Sequence, residues 1–590
     1  MCATVKHFFL AFCFFLVVGA VLPAWAVPNI WTASADRYWT NAANWSLSAE
    51  PGSGDTAVFT NTAAAAVGVV TCTVDVSRVV GALSFVPNNV FHHGIQINSG
   101  VTLTLSSLLA NNLIGDNSTL TITNGPGGGG TLQVGTGLST DSFKVGGYYN
   151  KYTTLDMRGL DTLIANVNAF GVGVTGAIRS GHLYLATTNT ITASTFDVGN
   201  AAASEIYGAS LYLGQTNVIN STTITIGNSK NVGTVKFRSG LNNPTVTIRG
   251  TNGISRVDLM IATATANNSS GTMDLTTSTS GSVDAKIGTL IMGKTTGAGA
   301  ATATLKWASG IVDATTVSNG VSSASAAGTG TMSLSSNAVL IAGILTLGSK
   351  LSTGAAIGTL TMTNQAVLQA TTLQKGAGTG GTNAIFRWDA GTVQNKSGTD
   401  LNLLALSDTL YINLRGAGPH TFIADPGQTI TVQNTCILTN NGALIKDGAG
   451  VLVMSGANTY SGGTTVSNGT LRVGCDNAML ANSALILSGG TFDAGSYSNA
   501  FGTLTLSSNT ASSIAVNTGS CMLSFTNMSA VGTGTLTISG KLGATSLRFG
   551  TDENGLTKSQ LGQILINNKK GFLDNQGYLY TSAGSTIIIL

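Results

Sequence analysis

Charge is scarce in this chain. Only 9% of its 590 residues are Asp, Glu, Lys or Arg, against roughly 25% in an ordinary soluble domain, and the net charge of +3 is carried by scattered single residues. There is no basic patch and no basic–aromatic interleaving, which excludes nucleic acid as a partner. Disordered chains combine low apolar content with high charge, whereas 43% of this chain is hydrophobic, so it has enough apolar surface to fold. Cysteine is nearly as rare. Past the first 26 residues it occurs at Cys72, Cys436, Cys475 and Cys521, without Cys-x-x-Cys spacing and too sparsely for a disulfide framework. All four read as small buried residues, with a Cys436–Cys475 bridge as the one alternative in an oxidising compartment. A sustained 3.6-residue apolar period is missing between Val27 and Gly540, so extended helices are not expected.

The residues that catalysis would need are also thinly spread. Asp274, Asp284, Asp389 with Arg387, and Asp493 stand apart, and no Asp-Asp or Asp-x-Asp cluster occurs in the repeat region. Glycoside hydrolysis needs two carboxylates about 5 to 9.5 Å apart, and a lyase needs an acidic calcium site with a base. His92 and His93 would point to opposite faces of a strand, and His182 and His420 are isolated, which suits surface or turn histidines better than a metal triad. Gly376-Ala-Gly378-Thr-Gly380-Gly381 matches a dinucleotide fingerprint by its letters alone; with no helix and no acidic ribose ligand following, it reads as a turn. The Gly-Gly-x-Gly-x-Asp calcium repeat is absent. No catalytic, cofactor-binding or metal-binding residue is therefore expected.

What the chain does have begins with a leader. Lys6 and His7 precede an apolar run from Phe8 to Leu22, and Ala24-Trp25-Ala26 follows as a small-x-small triplet. This is the pattern of a secretory signal peptide over residues 1–26. The competing membrane anchor would need roughly 20 apolar residues. Glycine is abundant, at 76 residues, and the sequence repeats itself. Leu183-Tyr184-Leu185 and Leu211-Tyr212-Leu213 open two similar segments 28 residues apart, and Gly330–Gly348 aligns without gaps on Gly358–Gly376 at the same offset. Ala314 and Gly320 stand one further step before Ala342 and Gly348. Within each unit, runs such as Thr359-Leu360-Thr361-Met362 alternate, as half-buried strands do.

Strands without helices at a fixed interval predict an all-β solenoid, a parallel β-helix whose coils stack to bury a shared interior. Stacked side chains would lie about 4.8 Å apart. Like charges would repel along such a column, whereas Thr, Ser and Asn can hydrogen-bond along it. At 28 residues per coil, residues 110–540 would form some 15 coils and a rod on the order of 75 Å long, with the glycine-rich stretch around Gly125–Gly130 as a loop. A two-layer β-sandwich array is the alternative, but hairpin-closing pairs such as Asn319-Gly320 and Asn468-Gly469 are too few to join every strand pair.

The ends differ from the middle. Trp31, Trp39 and Trp45 would either cover the first rung as a cap or form a sugar-stacking platform. Near the other end, Thr557-Lys-Ser-Gln560 fits a capping box for a short helix carrying Leu561 and Ile564, followed by final strands around Gly577–Tyr580. The expected organisation is a signal peptide (1–26), an N-terminal cap with first strands (27–110), coils (111–440), a continuation of the coils (441–540) and a C-terminal cap (541–590).

Residues 444–474 carry Gly448-Ala449-Gly450, Leu452, Ser455-Gly456, Asn458-Thr459-Tyr460, Gly462-Gly463-Thr464-Thr465 and Gly469-Thr470-Leu471. This stretch closely resembles the autotransporter-associated β-strand repeat, also called the passenger-associated transport repeat. The resemblance implies a right-handed β-helix passenger outside a Gram-negative-type cell. A membrane β-barrel of tilted, roughly 10-residue strands with aromatic girdles is not visible after Ser488, where Phe and Tyr are only scattered. The expected function is thus a non-enzymatic, secreted or cell-surface β-helix, structural or adhesive, with polysaccharide or cell-surface components as partners and no transmembrane segment after signal cleavage. A carbohydrate-active β-helix enzyme, or a passenger exported with a separately encoded barrel, are the alternatives.

Overall fold

In the strand Asn231–Phe237, Asn231, Gly233, Val235 and Phe237 are buried while Val232, Thr234 and Lys236 remain partly open. That alternation repeats throughout the computed structural model, which describes residues 28–581 apart from 61–68, 87–91, 113–117, 148–151, 175–179, 201–206, 229, 379–381, 518–520 and 530–532. The expected signal peptide lies outside the described residues. Each strand can bury only one side, so it gains stability by stacking on the turn before and the turn after. The result is a parallel β-solenoid of about 18 turns, 60% strand and 2% helix, on the order of 85 Å long at the spacing of hydrogen-bonded strands.

Each full turn contributes three strand segments, hence three faces. In the strand Ala301–Ser322 they are residues 301–307, 310–314 and 316–322, and each pairs in parallel with the matching segment of Gly328–Lys350. The 28-residue repeat is this register: Leu183 sits on Leu211, Gly330 on Gly358 and Val339 on Val367. Gly320 and Gly348, also 28 apart, both take positive φ at a corner inside the third-face segment, where the ladder skips them. A Cβ on Gly320 would lie 2.0 Å from the Ile357 carbonyl oxygen, so only glycine closes that corner. Asn319-Gly320 therefore turns a coil rather than a hairpin. Among the described strands, the only antiparallel pairs join Ile564–Ile566, Lys569–Leu573 and Leu579–Thr581.

The expected uniform pitch does not hold; the 15 coils anticipated covered residues 110–540, whereas about 18 turns span the whole described chain. In the 444–487 region Leu444 pairs with Thr464 and Thr464 with Leu485, steps of only 20 and 21 residues. The segments shrink to three or four residues, as in Thr464–Val466 and Thr470–Val473, so each turn encloses less interior.

The interior carries ladders of like side chains. Phe143, Phe170 and Phe196 stack with centroids 4.8 Å apart at each step. Buried Asn189 donates to Asn217 Oδ1 at 3.0 Å, and the Asn217 amide donates to the carbonyls of Gly214 and Thr245 at 2.9 and 2.8 Å while accepting from the Gly214 N–H. Asn217→Ala strands these groups, and we expect a loss of about 2 kcal/mol, read as a lower midpoint in urea unfolding. An unchanged midpoint would show that the ladder is dispensable.

Trp31, Trp39 and Trp45 are at most 2% exposed. They pack edge to face, Trp39 on Trp45 at 4.7 Å and Trp31 on Trp45 at 5.0 Å, over Phe59 and Phe85 of the first turns. Their ring faces are not open, so the sugar-platform alternative fails and the cap stands. At the far end Thr557 and Gln560 form the expected reciprocal capping box, but the helix is only Lys558–Gly562. Ile564 already belongs to the following strand. Cys72, Cys436 and Cys521 are buried, Cys475 is partly exposed, and Cys436 and Cys475 are both free thiols, so the Cys436–Cys475 bridge is absent. Burial pushes the Cys72 and Cys436 thiols well up, which leaves them inert.

Candidate functional site

Side chains at equivalent outward positions form rows along the rod. On the second face, Thr102, Thr131, Thr162, Thr188, Thr216, Thr245 and Ser282 occupy one register position in successive turns. On the first face, Ser210, Thr234, Thr272, Thr304 and Thr331 form a second hydroxyl row. Beside that row runs another: Asp156, Tyr184, Tyr212, Lys236, Asp274 and Lys306.

That last row gathers aromatic and cationic side chains in one place. Tyr184 and Tyr212 stack at 4.1 Å with planes 7° apart. The Arg158 guanidinium lies 4.6 Å from the Tyr184 ring centroid, and the Lys236 ammonium lies 5.1 Å from that of Tyr212. The rings are thus sandwiched between two cations, each drawn to a negative π face. Arg158 and Arg238 follow the first-face strands at the corner toward the second face, and together with Tyr184, Tyr212 and Lys236 they line a groove of about 200 Å³. Arg158 is paired with Asp156, Nη2 to Oδ2 at 2.6 Å. Burial would push Asp156 up, but the hydrogen bonds and charge of Arg158 outweigh it and hold the carboxyl below its usual value. Burial, then the nearby Lys236 charge, lowers His182, whose ring stacks on Tyr152 at 5.1 Å.

The acids singled out in the sequence do not converge. Asp274 accepts from Thr276 and faces Lys306 at 3.7 Å, Asp284 binds Arg249 at 2.5 Å, and Asp493 binds Arg472 at 2.8 Å. Asp389 pairs with Arg415 at 3.4 Å, not with Arg387, which is exposed. Lys306 and Arg472 stand directly over Asp274 and Asp493 on the next or preceding turn, so these two acids sit beside opposite charges one rung away, where the Coulomb term is favourable. No group of three or more His, Cys, Asp or Glu side chains able to hold a metal occurs among the described residues.

His420 corrects the expectation of a surface or turn histidine: it is fully buried, with Nδ1 2.9 Å from the Ala443 carbonyl and Nε2 3.1 Å from that of Arg415. His92 and His93 lie in the strand His92–Ile97, but their side chains are outside the described residues. Gly376 ends the strand Val367–Lys375 with its N–H on the Leu347 carbonyl, in keeping with a turn; residues 379–381 are outside the described residues.

Sequence reasoning used Leu183-Tyr184-Leu185 and Leu211-Tyr212-Leu213 only as repeat markers. The signal it passed over was phase: both tyrosines occupy the outward position of the same strand in consecutive coils, which forces them to stack.

No helix among the described residues is long and apolar enough to cross a membrane. No curated protein and no solved structure matches the chain. Residues 444–473, with the short-pitch turns and the buried Lys446 and Tyr460, match the family model of the passenger-associated-transport-repeat, and this stretch of the solenoid is such a repeat.

Proposed function

We propose that this chain is a non-enzymatic, exported rod with a structural or adhesive role at the cell surface or in the medium, and that it contacts polysaccharide along its hydroxyl rows. The observation that carries this reading is the second-face row from Thr102 to Ser282, in which seven successive turns present Thr or Ser in one register. Such a row offers hydroxyls at about 4.8 Å intervals, suited to repeated weak hydrogen bonds with a polymer rather than to one deep pocket. The passenger repeat at 444–473 supports export. It also favours the second reading, a passenger that uses a separately encoded barrel, which a neighbouring barrel gene would support.

Co-sedimentation of the purified protein with insoluble polysaccharides tests the reading. Binding should fall about fivefold in a Thr188→Val, Thr216→Val, Thr245→Val variant, since each hydroxyl contributes a modest net hydrogen bond. No sedimentation with any polysaccharide would overturn it. So would release of reducing-end or unsaturated products that an Asp389→Ala change abolishes, which would make the protein an enzyme. Cell fractionation that finds the chain in the cytoplasm would remove the export part.

A further inference from the structure

The groove between Arg158 and Arg238 differs from the hydroxyl rows in what it offers. Both aromatic faces of the Tyr184–Tyr212 pair are already covered, by Arg158 on one side and Lys236 on the other. A pyranose ring therefore has no open face to stack on. What remains available is positive charge with hydrogen-bond donors. Of the three cations only Arg158 has a carboxylate, Asp156. Among the described residues Lys236 and Arg238 form no ion pair; the acid on the adjoining rung, Asp274, is engaged by Thr276 and Lys306. Among the described residues the Arg238 side chain makes one hydrogen bond, from Nη1 to the Arg158 carbonyl at 3.3 Å.

Arg238 is also half-buried close to a second guanidinium. Burial first, and then the Arg158 charge, lower its pKa, with Asp156 only partly opposing. A partly desolvated cation facing a like charge is held at a cost that a bound anion would relieve. Counting Arg158, Lys236 and Arg238 against Asp156, the groove keeps a surplus of two positive charges.

We propose that this groove binds the acid groups, carboxylate or sulfate, of an anionic polysaccharide, with Lys236 and Arg238 as the direct ligands and Asp156 holding Arg158 against Tyr184. The inference rests on the polysaccharide reading above and adds the class of polymer. Nucleic acid fits less well, because the positive surface is one groove rather than a stripe along the rod.

The test is equilibrium binding of the full chain to dextran sulfate, polygalacturonate, neutral dextran and a DNA duplex, at low and high salt. One or both acidic polymers should bind about tenfold tighter than neutral dextran and weaken with salt. A Lys236→Gln, Arg238→Gln variant should lose about tenfold on the acidic polymers and nothing on the neutral one, consistent with charge-assisted hydrogen bonds. Arg387→Gln, exposed several turns beyond the groove, should bind as wild type does, and Lys236→Gln alone serves if the double variant's melting transition shifts. Response to dextran sulfate only assigns sulfate; response to both acidic polymers assigns the shared anionic group. Equal binding of neutral and acidic polymers, unchanged in the double variant, overturns the groove and leaves the polysaccharide reading intact. Binding to none of the sugars removes both. Tighter binding to DNA, or binding of inorganic sulfate with no gain from the polymer, also overturns the proposal.

Discussion

Replacing Lys446 with alanine is expected to destabilise the passenger-repeat turns by about 3 to 5 kcal/mol, the largest single-site effect in the C-terminal part of the rod. The side chain is fully buried, and its ammonium donates to the carbonyls of Asp447, Gly448 and Asn468 at 2.8, 2.7 and 3.1 Å. These carbonyls lie at corners of two adjacent turns; that of Asp447 also accepts from the Ala424 N–H at 3.2 Å, whereas those of Gly448 and Asn468 rely on the ammonium. Alanine would leave the Gly448 and Asn468 carbonyls unpaired, the Asp447 carbonyl with only the Ala424 N–H, and a void beside them. Hydrogen exchange should accelerate across residues 444–473 and remain unchanged on the long-pitch coils; uniform exchange would contradict the local role.

The same residue has a pH signature. Burial, opposed by the Asp447 charge, pulls the Lys446 ammonium down from 10.5 to about 8. Between those values the unfolded chain binds more protons than the folded one, so this group's contribution to stability rises with pH across roughly 8 to 10.5 and is smallest below 8. The neutral amine still has two donors for the carbonyls. Wild type minus Lys446→Met, compared by urea unfolding at pH 7 and pH 10, should therefore shift in favour of wild type at the higher pH. A difference independent of pH would refute the assignment.

Trp45→Ala should cost about 4 kcal/mol at the opposite end. Trp45 packs against Trp31, Trp39 and Phe59, and its indole N–H donates to the Trp39 carbonyl at 2.9 Å. In a solenoid each turn contacts only its neighbours, so the loss should stay within the first turns. Proteolysis is expected to begin there while the rest of the rod persists. Once the cap loosens, the backbone of the first rung becomes an open edge, and light scattering should show concentration-dependent association of the variant. A variant that stays monomeric and resists protease would show that the tryptophans do not guard the edge.

The long-pitch coils were legible because their register coincides with their repeat: Leu183 over Leu211 and Gly330 over Gly358 are equivalent residues in sequence and neighbours in space. The short turns were not, because the recognisable motif covers about one and a half of them. Leu444 stacks on Thr464, and Val451 on Thr470, pairs of unlike residues that no comparison of letters would align. Asp389 was matched to Arg387 by proximity in sequence, but the strand Thr382–Trp388 ends between them and Asp389 meets Arg415 of the next turn instead. The buried place of His420 depends on two carbonyls brought together by coil corners, which leaves no periodic trace. The groove lay hidden for a related reason: Arg158 and Arg238 are 80 positions apart and meet only through the winding of the chain.

The change from about 28 to about 20 residues per turn also has a mechanical meaning. Resistance of a beam to flexing grows steeply with girth, so the slimmer section between residues 444 and 506 is the compliant stretch, and sideways load on the shaft would concentrate its curvature there. The rod would thus behave as a stiff mast with a springy waist ahead of its last, wider turns.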